Sequence, residues 1–184
     1  AESLLANNGC NMDDLAARFA DWIDPAHSYG MALYESCMKL KQGVSPKESG
    51  SKSAGNGAAM RAAPIGLFYG RPEQRDDLLR CAETASRITH ADKRSIAGAA
   101  AIAAGVAHCF NHTGSFDQKT FLGAAADAAG KFSPALADKI RGVHKLREST
   151  VGEASKSLGL GGFVMESVPF ALWCFLKHHD HFEE

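Results

Sequence analysis

The sequence lacks a paired-cysteine motif: Cys10, Cys37, Cys81, Cys109 and Cys174 are scattered with no CxxC among them. Their odd number and the placement of most of them in apolar, helix-like stretches argue against a disulfide framework. Buried free thiols in a reducing, cytoplasmic compartment are the expectation. Charge of one sign is missing too. With 20 basic and 21 acidic side chains the net charge is −1, so no global field favours nucleic acid or an anionic membrane. No signal peptide is visible, and no apolar run is long enough to cross a bilayer. Ala97 to Ala107 comes nearest, but it is short, built of Ala and Gly, and follows Lys93 and Arg94. It reads as a closely packed helix of a soluble protein. Strand-like alternation and internal repeats are absent as well. What is present is a chain of 184 residues, 45% apolar and 22% charged, enough for a single domain, 1–184, with a sizeable core.

The patterning is helical throughout. Ala1 to Asn8 reads as a helix without a preceding cap, stopped by Asn7-Asn8-Gly9. Asn11 caps the next, with Asp13 and Asp14 in its first turn, Leu15, Phe19 and Ile23 on one face, and Pro25 as its end. Ser28 to Lys41 is a third helix. Val44 to Ala54 is a polar, mobile surface loop. Pro72 opens a helix that ends at Thr89-His90-Ala91-Asp92, and an Ala-rich helix runs from Asp92 to Phe110. Gly98 and Gly105 let a neighbour approach one of its faces. Phe116 to Lys131 and Ser133 to Arg147 are two more helices, and Val151 to Gly162 is a Gly/Ser-rich loop. Phe163 to Leu176 is apolar on every side, which predicts the central helix, with Ser167 as its cap and Pro169 in its first turn. The fold class is all-α.

Ser53-Ala54-Gly55-Asn56-Gly57-Ala58-Ala59-Met60-Arg61 is the stretch best suited to hold a ligand. Glycines on both sides of Asn56 let the backbone take φ > 0 and approach another molecule closely. A helix predicted from Gly57 to Tyr69 presents free N–H groups and the positive end of its dipole there, a setting for a phosphate or a polar sugar. The same residues also make ordinary tight turns. His90 lies at a helix–helix corner, where a ligand contact and the capping of backbone carbonyls are both open. His178-His179-Asp180-His181 has the composition of a metal cluster, but neighbouring residues on a helix do not face one site. Glu35 and Cys37 have no histidine placed to activate them. Glu166, in an apolar segment, needs a hydrogen-bond partner, and a structural one is preferred over general acid work.

Three stretches together resemble the ADP-ribosylglycohydrolase family, which includes the dinitrogenase-reductase-activating glycohydrolase. They are Ser53 to Gly66 (SAGNGAAMRAAPIG), Ala85 to His90 (ASRITH) running into the Ala-rich helix, and Gly161 to Phe175 (GGFVMESVPFALWCF). Order and spacing agree, and the similarity covers essentially the whole chain. The resemblance implies an orthogonal helical bundle that hydrolyses the bond between ADP-ribose and a modified protein side chain or small acceptor. It implies two divalent ions, Mg²⁺ or Mn²⁺, at the floor of an ADP-ribose cleft. Asn56 and Gly57, with Ser53 and Gly55 beside them, would line that cleft against the diphosphate and proximal ribose; His90 would reach the ligand, and Phe163 would be a lining aromatic. ADP-ribose and an ADP-ribosylated protein are the implied partners; oligomeric state is left open.

The chain departs from the family in one respect. The family's metal ligands come from a Thr-Asp-Asp segment and a Gly-Gly-Asp-Thr-Asp segment, and neither occurs here. Truncation at both ends is the expectation, with no metal ligand and no catalytic residue within this chain and no activity by itself. Two further readings remain open: a relative that binds ADP-ribose without chemistry, and a structural, crystallin-like relative.

Overall fold

The computed structural model describes residues 1–24 and 26–180; Pro25 and His181, invoked above, lie outside the described residues. Among them run ten α-helices: α1 (Glu2–Ala6), α2 (Met12–Trp22), α3 (Met31–Lys41), α4 (Ala63–Phe68), α5 (Arg75–Arg87), α6 (Lys93–Asn111), α7 (Gln118–Gly130), α8 (Pro134–Gly142), α9 (Val151–Leu158) and α10 (Val164–Lys177). Extended pairing is limited to two isolated bridges, Ser51 with His90 and Gly55 with Phe163. The all-α expectation holds.

Caps written in the sequence start several of these helices. The Asn11 side chain accepts from the N–H groups of Asp13 and Asp14, Asp92 from Arg94 and Ser133 from Leu136. Asn8 in the left-handed region, at φ 48°, turns the chain out of α1.

The central element is α6, not α10. Nine of its residues, from Ser95 to Gly105, are buried, and α4, α5, α7 and α10 pack around it. Its alanines face two core clusters. One gathers α7 to α10 around the fully buried Trp173, whose indole N–H donates to the Leu146 carbonyl at 2.8 Å. The other gathers α1, α4 and α5 around Leu4, Ile65, Leu78 and Ala82. Gly98 admits α10: a Cβ there would stand 2.3 Å from Val164 Cγ2. Gly105 faces α7 instead, with Phe121 Cε2 at 3.2 Å, so the two glycines serve different neighbours.

Several expected elements are corrected. No single helix spans Gly57 to Tyr69; a turn at 56–58 leads through a 3-10 helix, Ala59–Arg61, into the six residues of α4, where Pro64 lies at the start. Val151 to Gly162 is not wholly loop, because Thr150 and Glu153 form a reciprocal capping box that starts α9. The helix expected from Ser133 to Arg147 changes at Val143 into a 3-10 turn, and α3 starts three residues later than Ser28. Ser167 does not cap α10. That helix begins at Val164, so Pro169 is interior. A proline there cannot donate to the carbonyl four residues before it. The Lys139 ammonium of α8 occupies that carbonyl instead, donating to Met165 O at 3.0 Å. One side of α10 stays open, with Phe163 and Phe175 39% and 38% exposed. Cys37 and Cys81 are buried as expected, but Cys10 and Cys174 are exposed.

Candidate functional site

The residues around Asn56 are brought to His90 by backbone pairing between segments distant in sequence. Ser51 N–H donates to Thr89 O at 3.1 Å, and Ala91 N–H donates to Ser51 O at 2.7 Å. On the other side, Asn56 N–H donates to Gly162 O at 3.0 Å and Val164 N–H to Ala54 O at 2.9 Å. The segment 44–54, expected to be a mobile loop, is therefore anchored. Buried Ser49 adds a bond from Oγ to Ile88 O at 2.8 Å.

Within this frame the six sequence-derived candidates converge. His90, 4% exposed, lays its ring against Gly57 so closely that a Cβ there would be 2.7 Å from Cε1 and 2.9 Å from Nε2. Gly55 faces the same Nε2, at 3.6 Å from its would-be Cβ, and its N–H donates to Ser53 Oγ at 3.1 Å. Phe163 pairs with Gly55 through the backbone bridge, and the Arg94 guanidinium lies over the Phe163 ring at 5.4 Å. The Asn56 side chain is half-buried and makes no hydrogen bond among the described residues. Neither Gly55 nor Gly57 has positive φ. Gly57 is required by the close approach of His90, not by backbone hand; at Gly55 the tightest neighbour is Ser53 Oγ, 3.2 Å from a would-be Cβ.

The helix end at this corner also differs from expectation. It belongs to α6: Ser95, in its first turn, donates from Oγ to the Gly55 carbonyl at 2.8 Å, and Asp92 just before it caps the helix. The His90 ring caps no backbone carbonyl. Its Nδ1 meets Thr89 Oγ1 at 2.9 Å.

One contributor escaped the sequence reading. Arg61 is half-buried beneath the corner, its Nε fully enclosed, and donates to Gly57 O at 2.7 Å, Ala85 O at 3.1 Å and Thr89 Oγ1 at 2.5 Å, with the Phe19 ring 4.9 Å from its guanidinium. Burial lowers its pKa to about 10, so it remains charged at neutral pH. No carboxylate pairs with it among the described residues. Burial first, and then the Arg61 charge, lowers the His90 pKa to about 4, so His90 is neutral at pH 7.

Elsewhere, Glu166 accepts from Gly161 N–H at 2.9 Å, the structural role expected of it, and so steadies the loop leading to Phe163. His179 lies tilted against Phe116, ring centres 4.6 Å apart. Among the described residues no group of three or more His, Cys, Asp or Glu is placed to hold a metal ion. A cavity of about 420 Å³ lies at the other end of α6, lined by Tyr69, Arg71, Arg75 and His108, and none of the six corner residues borders it.

The structure is an all-α bundle in which the glycines flanking Asn56 face a buried, neutral histidine. The chain belongs to the ADP-ribosylglycohydrolase family, whose family model matches residues 1–184. It is 33% identical over 205 residues to the ADP-ribosylhydrolase ARH3 of Xenopus tropicalis, covering 96% of this chain and 57% of the relative. With human ADP-ribosylhydrolase ARH3 it shares 28% over 203 residues, covering 96% and 55%. An uncharacterized protein of Archaeoglobus fulgidus is 30% identical over 186 residues, covering 100% and 59%. The chain thus spans somewhat over half the length of these relatives.

Proposed function

We propose that the protein is the ADP-ribose-holding portion of a hydrolase that releases ADP-ribose from a modified protein side chain or small acceptor. The observation that carries this reading is the convergence of Ser53, Gly55, Asn56, Gly57, His90 and Phe163 at one corner above the unpaired charge of Arg61. A half-buried cation without a carboxylate partner favours an anion nearby, because the low local dielectric strengthens its field. The first turn of α6 adds the positive end of a 19-residue helix. A diphosphate satisfies that field. Ribose hydroxyls suit the Asn56 amide and the His90 imidazole, and the exposed Phe163 ring offers an apolar face.

Two divalent ions, Mg²⁺ or Mn²⁺, belong to this reading of the family, where they would supply Lewis-acid stabilisation of the oxocarbenium-like transition state. Among the described residues no group of three or more His, Cys, Asp or Glu is placed to hold one. In this reading the chain's own work is to bind and orient: backbone at Gly55 and Gly57 meets the ligand closely, and His90 offers a hydrogen bond without a charge.

Titration calorimetry with ADP-ribose tests the proposal. Saturable binding that weakens markedly in Asn56→Ala, with thermal stability preserved, is the expected result. Absence of heat with the wild-type chain would leave the structural reading of the family and overturn this one.

A further inference from the structure

Thr89 and Arg61 occupy positions that give His90 one defined hydrogen pattern. The Arg61 guanidinium only donates, and it donates to Thr89 Oγ1 at 2.5 Å. The same oxygen lies 2.9 Å from His90 Nδ1. Thr89 is fully buried, and among the described residues its hydroxyl has no other acceptor than Nδ1. If Nδ1 carried the proton, the threonine hydrogen would be left without an acceptor in a buried site, at the cost of an unmade hydrogen bond. The arrangement that pairs both the Thr89 hydroxyl and Nδ1 has Arg61 donating to Thr89, Thr89 donating to Nδ1, and the imidazole proton on Nε2. That nitrogen is the one that faces Gly55 and Gly57.

Each part of the chain of contacts is anchored. Arg61 is fixed by the carbonyls of Gly57 and Ala85, so it ties the corner to α5 while pointing at Thr89. Thr89 is fixed by its backbone, whose carbonyl accepts from Ser51 N–H at 3.1 Å and Ser36 Oγ at 3.1 Å. His90 N–H donates to Ser86 O at 2.7 Å, which sets the start of its side chain.

We propose that Arg61 and Thr89 are positioning residues that lock His90 as an Nε2–H donor on the side that faces Gly55 and Gly57, there to meet an acceptor oxygen of the bound ligand. The proposal deepens the ADP-ribose reading and rests on it for the identity of that oxygen's owner. A locked donor discriminates by hydrogen-bond polarity: a ribose or phosphate oxygen is accepted at that point, and a ligand offering an N–H there is refused.

Nitrogen-15 NMR of the histidine side chains in the full chain, paired with ADP-ribose calorimetry, tests it. In the wild type His90 is expected as the Nε2-protonated tautomer at pH 7. Thr89→Val removes the partner of Nδ1; it is expected to mix the tautomers and weaken ADP-ribose binding about tenfold, the scale of one hydrogen bond. Thr89→Ser is expected to restore both. Arg61→Lys keeps a charge but cannot reach all three acceptors, and it is expected to move the tautomer the same way, which keeps the test decisive if Thr89→Val does not fold. An Nδ1–H tautomer in the wild type, or Thr89→Val with tautomer and affinity unchanged, overturns the proposal. A wild-type chain that binds no ADP-ribose but shows the Nε2–H tautomer, shifted in Thr89→Val, refutes the functional reading and leaves the lock standing.

Discussion

Helix α6 has a histidine near each end, His90 buried and His108 half-buried, and the two are differently furnished. At the N-terminal end His90 has one nitrogen engaged by Thr89 and the other turned to glycine backbone. At the C-terminal end His108 packs between aromatic rings, with His112, Phe116 and Phe121 at 5.9, 6.5 and 6.0 Å, and its Nε2 is buried without a hydrogen-bond partner. Burial lowers the proton affinity of both, aided by Arg61 in one case and His112 in the other. Burial and a low pKa therefore do not distinguish a site from a packing position. Fixing of one nitrogen by a neighbouring hydroxyl does.

The largest effect expected from this contrast is on acid stability. Between the ordinary histidine value of 6.5 and the His90 value of about 4, the unfolded chain binds a proton that the folded chain refuses. Stability is therefore lost as pH falls through that window, by up to about 3 kcal/mol from His90 alone. Urea midpoints measured from pH 7 to 4 should fall less steeply in His90→Gln than in the wild type. Equal slopes would show that the two ends are alike in this respect.

Next in size is Gly57→Ala. The added methyl would sit 2.7 Å from a ring that Thr89 prevents from retreating. A loss of about 2 kcal/mol is expected from overpacking, together with at least about tenfold weaker ADP-ribose binding as the His90 donor is displaced. Calorimetry and thermal melts read the two parts separately.

At the opposite end, His108→Phe removes an orphaned nitrogen while keeping a ring among rings. A gain of about 1 kcal/mol is expected, with ADP-ribose affinity unchanged. Weakened binding in this variant would mean that the cavity beside His108 shares the ligand. The smallest effect belongs to neither end: Lys139→Met withdraws the ammonium from the Met165 carbonyl that Pro169 leaves free, and about 0.5 kcal/mol is expected because water replaces it. A melt that drops much further would show that the bond braces the start of α10.

Much of this was legible in the sequence because it is local chemistry. Asn11, Asp92 and Ser133 are caps that act on neighbours two or three residues away, and the structure uses all three. Helix α9 was hidden because Gly152, Gly159 and the serines between them resemble a loop, although Thr150 and Glu153 stand at capping-box spacing. The rank of α10 was misjudged because an apolar composition does not say which helix is enclosed; alanines made α6 the thin helix that others could surround. At the candidate site the sequence pointed to six residues and the structure places them together. It did not point to Arg61 or Thr89 as a pair, since their bond joins residues 28 apart and leaves no periodic trace.

The two backbone bridges at the corner carry a kinetic consequence. They stitch residue 51 to residue 90 and residue 55 to residue 163, spans that helix formation alone cannot bring together. Closing such loops costs chain entropy that must be met before the contacts return anything. Helices and local caps are therefore expected to form before this corner closes, so a refolding chain should regain its circular dichroism before the bridges at the corner are made. A guest seated there would then serve as a clasp on the finished topology, slowing the first opening of the molecule more than it hastens the last closing.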